Sequence, residues 1–180
     1  MIYIRFKVKI GDSKELIEAG ANVNDKDYNE ETQLMHALKE GHIDIVKLLL
    51  LNGAKINAKD KYGNTALILS SRSGYLEIVE KLLEKGANIC HRDESYKTAL
   101  DYISENFKNS QTKSDKNKFA DTAYLMIGRM ADEYTQLFKY LNKNLNTSKD
   151  LNDIVHNHIN LLFNLQKLPR ELFEKVIESF

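Results

Sequence analysis

Five histidines and one cysteine are the residues of this 180-residue chain best suited to nucleophilic or metal chemistry. Cys90 and His91 are adjacent, as a thiolate–imidazole nucleophile would require, but no carboxylate is implied beside them to orient the ring. The pair therefore reads as structural. His156 and His158 stand two apart, which on a helix points them to different sides and suits chelation poorly. With a single cysteine, neither an internal disulfide nor a multi-thiolate zinc site can form. Glycine-rich phosphate loops, nucleophile elbows and paired metal-ligand motifs are absent. These residues indicate no enzyme, no cofactor and no metal. The function has to be sought in surfaces.

Charge narrows the choice of partner. Lys and Arg number 26, as do Asp and Glu, so the chain lacks the basic excess that marks many nucleic-acid binders. No nucleic-acid partner is expected. The longest strongly apolar stretch, residues 45–51, is broken by Lys47 and is too short to span a bilayer. The first ten residues alternate apolar and polar and lack the continuous apolar core of a secretory signal. A soluble protein of a reducing, cytoplasmic compartment is expected, with no membrane partner.

The elements that position the side chains are announced by a repeat. Gly20-Ala21-Asn22-Val23-Asn24 recurs as Gly53-Ala54-Lys55-Ile56-Asn57 and as Gly86-Ala87-Asn88-Ile89-Cys90, each step being 33 residues. Asp27, Asp60 and Asp93 keep the same step, as do Thr32, Thr65 and Thr98, and Leu34, Leu67 and Leu100. The threonines stand where a polar side chain caps a helix. Ile45, Leu48 and Leu49, like Ile78, Leu82 and Leu83, recur at helical spacing and predict the face stacked between repeats. Gly53 and Gly86 follow a helix, where a left-handed backbone is easiest for glycine.

These residues resemble the ankyrin repeat over roughly residues 11–106. The best copy reads Asp60-Lys61-Tyr62-Gly63-Asn64-Thr65-Ala66-Leu67, then Gly74-Tyr75-Leu76-Glu77-Ile78-Val79, then Leu82-Leu83 and Gly86-Ala87-Asn88. The resemblance implies an all-α solenoid of helix-turn-helix repeats with β-hairpin tips, and a protein-binding role. His42 falls at the family's ordinary Gly-His position. The family's proline after threonine is replaced by Gln33, Ala66 and Ala99, and its turn glycine survives only as Gly63, with Glu30 and Tyr96 at the equivalent places. Strained or reshaped tips are expected there. The first copy is short; residues 2–10 alternate like a strand but by position should be a helix. The last copy is expected to lose its second helix after Ile103. The family's target surface, the tips and the exposed side of each first helix, falls here on Tyr28, Asn29, Lys39, Lys61, Tyr62, Asn64, Arg72, Arg92, Ser95 and Tyr96. A tyrosine near each tip offers large contact area at low entropy cost.

Residues 107–118 read as a polar linker, and residues 119–180 as a C-terminal helical region. Phe119, Ala123, Ile127, Met130, Tyr134, Leu137 and Leu141 predict a helix of about six turns. After a polar break, Ser148 caps a second helix with Leu151, Ile154, Val155, Ile159, Leu162 and Leu165 on one face. Pro169, the only proline, suits the first position of a third. Residues 168–180 resemble the opening helix of an F-box, the matching positions being Leu168, Pro169, Glu171, Leu172, Val176, Ile177 and Phe180. The resemblance implies docking to the Skp adaptor of a Skp–cullin–F-box ubiquitin ligase. Repeats followed by such a segment look like poxvirus and intracellular-bacterial ankyrin/F-box proteins, effectors that act in the host cytoplasm. Two functions stay open: a ligase adaptor whose repeats hold a target protein, and a stand-alone binding or masking protein whose last helices only cap the stack.

Overall fold

The computed structural model describes residues 14–15 and 17–144, with side chains to Glu133. Two compact units divide the chain, Met1–Tyr102 and Ile103–Phe180. The helices are α1 Gln33–Lys39, α2 Ile43–Leu51, α3 Ala66–Ser73, α4 Leu76–Glu84, α5 Ala99–Asn109 and α6 Lys113–Asn144. Among the described residues there is no strand, only an antiparallel bridge between Lys26 and Thr32.

Helices of 7–9 residues such as α1–α4 are too short to stand alone, so packing must supply their stability. Their starts are set by the recurring threonines. Thr32 Oγ1 accepts the Met35 N–H at 3.4 Å, Thr65 Oγ1 that of Ile68 at 3.4 Å, and Thr98 Oγ1 that of Asp101 at 3.3 Å. The side-chain caps start these helices although Gln33, Ala66 and Ala99 stand at the position of the proline. Within a repeat α1 packs on α2 and α3 on α4; between repeats α1 packs on α3 and α2 on α4. Ile78, Val79, Leu82 and Leu83 are buried as the spacing requires. In α2 the buried stripe is turned by one residue, onto Val46, Leu49 and Leu50, and Ile45 and Leu48 are half-buried. Gly53 and Gly86 lie just past α2 and α4, outside any helix.

The repeats are also joined by polar clips. Asn24 donates through Nδ2 to the Gly53 carbonyl at 3.1 Å and accepts the Lys55 N–H at 2.7 Å. Asn57 does the same one step later, to the Gly86 carbonyl at 3.1 Å and from the Asn88 N–H at 2.9 Å. Cys90 takes the third asparagine's place, where the sequence has no further Gly-Ala loop for a clip to hold. That accounts for the substitution without chemistry.

At the tips, stacking is backbone to backbone. The Lys61 N–H donates to the Asn29 carbonyl at 2.9 Å, and the Glu94 N–H to the Tyr62 carbonyl at 3.0 Å. Gly63 is held at φ +76°, and a Cβ there would meet Asp93 Cα and Glu94 N at 3.1 Å. These atoms are the backbone of the next tip, which cannot swing aside as a side chain could. Gly63→Ala is expected to destabilise by about 2 kcal/mol, combining left-handed strain with the close approach; thermal unfolding measures it. The expected strain at the other two tips is present as positive φ without glycine, +60° at both Glu30 and Tyr96.

In the second unit the linker expectation is corrected. Residues 107–109 belong to α5 and 113–118 to α6, so the break between helices is residues 110–112. Thr112 is the cause: its Oγ1 accepts the Asp115 N–H at 3.0 Å and donates to Asp115 Oδ2 at 2.7 Å, starting α6 before its apolar stripe begins. Polarity there marks exposed helix rather than loop. Farther along, Phe119, Ala123, Met126, Ile127 and Ala131 are buried and Met130 is half-buried. After α5 the chain resumes within three residues as a 32-residue helix, α6. The predicted helix over residues 2–10, the helix beginning at Ser148 and the F-box-like segment 168–180 lie outside the described residues. No described helix is long and apolar enough to cross a membrane.

Candidate functional site

Each tip is built around its repeat aspartate. Asp27 Oδ1 accepts the N–H groups of Asn29 and Glu31 at 2.8 and 2.9 Å; Asp60 Oδ1 those of Tyr62 and Asn64 at 2.9 and 2.8 Å; Asp93 Oδ1 those of Ser95 and Lys97 at 2.8 and 3.0 Å. The aspartate's own N–H returns to the carbonyl four residues on, at 3.0 to 3.1 Å in all three. Aspartate suits this task because a short carboxylate reaches backbone N–H groups two and four residues ahead.

The second carboxylate oxygen finds a different partner each time. Asp27 Oδ2 meets His36 Nε2 at 3.1 Å, Asp60 Oδ2 accepts the Asn64 amide at 3.0 Å, and Asp93 Oδ2 accepts the Tyr102 hydroxyl. For Asp27, burial raises the carboxyl's proton affinity, but the N–H groups of Glu31 and Asn29 and the His36 ring outweigh it, so the pKa falls below the ordinary value. Asp93 is likewise lowered: burial again opposes, and the Tyr102 hydroxyl with the Lys97 and Ser95 N–H groups prevails.

On this frame the tips display Tyr28, Tyr62 and Tyr96, which are 92%, 56% and 79% exposed. Asn29 is half-buried, and Ser95 is exposed at the turn held by Asp93. Lys61 is exposed, with its ammonium 5.0 Å from the centre of the Tyr62 ring. Arg92 is exposed and donates to the Tyr96 carbonyl at 2.7 Å, bracing the left-handed tip.

Three expected contact residues have structural employment. Asn64 is buried, only 8% exposed, with its amide on Asp60; the expectation of an exposed position is corrected because the aspartate draws it inward. Arg72 is exposed, yet its guanidinium lies 4.9 Å from the Tyr102 ring centre, and Lys97 covers the same ring at 5.3 Å. Its cation–π contact ties α3 to the following repeat. Lys39 pairs with the buried Glu31 at 2.6 Å. Sequence reasoning missed the convergence of Asp27, Glu31 and His36. The spacing of four and nine residues crosses a turn into a helix, so no single periodicity flags it.

Stacked helix pairs carrying outward tips held by their aspartates define a repeat solenoid of the kind that serves as an interaction scaffold. Residues 7–93 match the family described as ankyrin repeats, in three copies. A crystal structure of an ankyrin repeat domain from Acinetobacter baumannii AYE is similar at 30% identity, covering 67% of this chain and 58% of that one, with a TM-score of 0.58. No curated protein matches. The fold is an ankyrin-repeat solenoid, a protein–protein interaction module.

Proposed function

We propose that this chain is a substrate adaptor: its repeats hold a target protein through the tips, and residues 168–180 dock the Skp adaptor of a cullin-based ubiquitin ligase. The observation that carries target binding is the row of exposed Tyr28, Tyr62 and Tyr96 on tips held by the half-buried Asp27 and the buried Asp60 and Asp93. Large aromatic side chains on a rigid frame lose little entropy when covered and are frequent anchors of interfaces. Support for the second half is the pattern Leu168, Pro169, Glu171, Leu172, Val176, Ile177 and Phe180.

Replacing Tyr28 and Tyr62 together with Ala should weaken binding to a partner identified by cross-linking by tenfold or more, on the order of 1.4 kcal/mol. Melting should move little, because both rings are mostly outside the fold. Arg72 is unsuitable for this test since it also supports Tyr102. Unaltered affinity in the double variant moves the target surface away from the tips.

A further inference from the structure

In the first repeat, the outer oxygen of the tip aspartate meets side chains that also bind transition metals. Asp27 Oδ2 and Glu31 Oε2 stand 3.1 and 3.4 Å from His36 Nε2, and one donor atom from each of the three residues lies within 4.8 Å of the others. The Asp27 and Glu31 side chains are 9% and 8% exposed, while the His36 ring, at 25%, forms the wall nearest solvent. We propose that Asp27, Glu31 and His36 form a binding site for a zinc-type divalent cation.

Zinc binds nitrogen and oxygen donors at about 2.0–2.2 Å, so neighbouring tetrahedral donors stand about 3.3 Å apart. The two separations at His36 Nε2 already have that size. In the metal-free protein one Nε2–H faces two carboxylate oxygens and can align well with only one. A dication bound by Nε2 moves the ring proton to Nδ1, contacts all three donors and neutralises two adjoining carboxylates. Imidazole in the set favours zinc-type ions over calcium and magnesium, which take oxygen ligands.

The remaining contacts pre-arrange the donors. Asp27 Oδ1 is held by the Asn29 and Glu31 N–H groups, leaving Oδ2 for the ion. Lys39 holds Glu31 through Oε1, leaving Oε2. Its ammonium also offsets part of the negative charge, so the site relies on the imidazole rather than on acidity alone. The other repeats carry Asn64 with Leu69, and Lys97 with Tyr102, at the positions of Glu31 and His36; neither set can replace these ligands. A bound ion would tie the first tip, and Tyr28 on it, to α1.

The test is titration of the full chain with Zn²⁺ alone, in competition with a chromogenic chelator, alongside thermal melting. One ion per chain is expected, with a rise in melting temperature that EDTA reverses. The comparison is a variant with both Glu31→Asn and His36→Leu, which writes the central repeat's own residues into the first tip and so keeps Asp27 a partner of the kind Asp60 has. Its affinity should fall by more than about tenfold, while its metal-free secondary structure and melting cooperativity stay those of the unmutated chain. Absence of zinc binding by the unmutated chain overturns the proposal. Equal affinity in the folded variant does so too, since the ion then sits elsewhere, as at Cys90 and His91.

Discussion

Asp93→Ala should lower the unfolding free energy at neutral pH by about 3 kcal/mol, because it removes the charged acceptor of three hydrogen bonds at once. The Ser95 and Lys97 N–H groups lose their cap, and the Tyr102 hydroxyl loses its carboxylate. Tyr102 is also the ring on which Arg72 and Lys97 rest, so the loss extends from the tip into the contact between repeats. Melting by circular dichroism measures the effect, with a fall on the order of 10 °C expected.

Acid titration gives the same bond a second readout. Asp93 has a folded pKa below its unfolded value, so its contribution is present above the unfolded value of about 3.9 and is lost as pH falls through the folded one. Asp27 behaves alike. Below about pH 4 the unmutated chain should therefore lose stability faster than Asp93→Asn. The amide can still accept through Oδ1 but has no charge to lose. Parallel acid profiles for the two chains would show that Asp93 contributes no such linkage.

The repeat was legible because its signals are local. Thr32, Thr65 and Thr98 each cap within three residues, and Gly53 and Gly86 each end a helix pair. What sequence reasoning misplaced depends on contacts between distant or differently oriented residues. Asn64 reads as exposed and polar until Asp60 is seen to fold its amide inward. Arg72 reads as free surface because Tyr102, thirty positions away, belongs to the following repeat. Thr112 and Asp115 have capping-box spacing, which marks the start of α6, whereas the polarity of the segment by itself resembles that of a loop. His36 and Glu31 are set against Asp27 by a turn and a helix start together, which neither helical nor strand periodicity describes.

The adaptor reading is most exposed at residues 168–180. Leu168, Leu172, Val176 and Phe180 recur every four residues, with Phe173 and Ile177 in a neighbouring row, a spacing that on a helix would make an apolar stripe in need of cover. If the Skp adaptor covers it, truncating one anchor such as Leu172 should cost about 2 kcal/mol or more, on the order of thirtyfold in affinity. Replacing Leu168 and Pro169 together with Ala should go further and abolish co-purification, because it removes a proposed anchor and the proline suited to start such a helix. The repeats should remain folded and keep their target.

The decisive measurement is titration of the purified full chain against the purified Skp adaptor, with the Leu168→Ala, Pro169→Ala double variant beside it and melting recorded for both. Saturable binding by the unmutated chain, no detectable binding by the variant and the same melting transition in each are expected. No binding by the unmutated chain contradicts the adaptor reading. Global unfolding of the variant contradicts it as well, because the segment would then belong to the fold's own core, and a stand-alone masking protein would be the better reading.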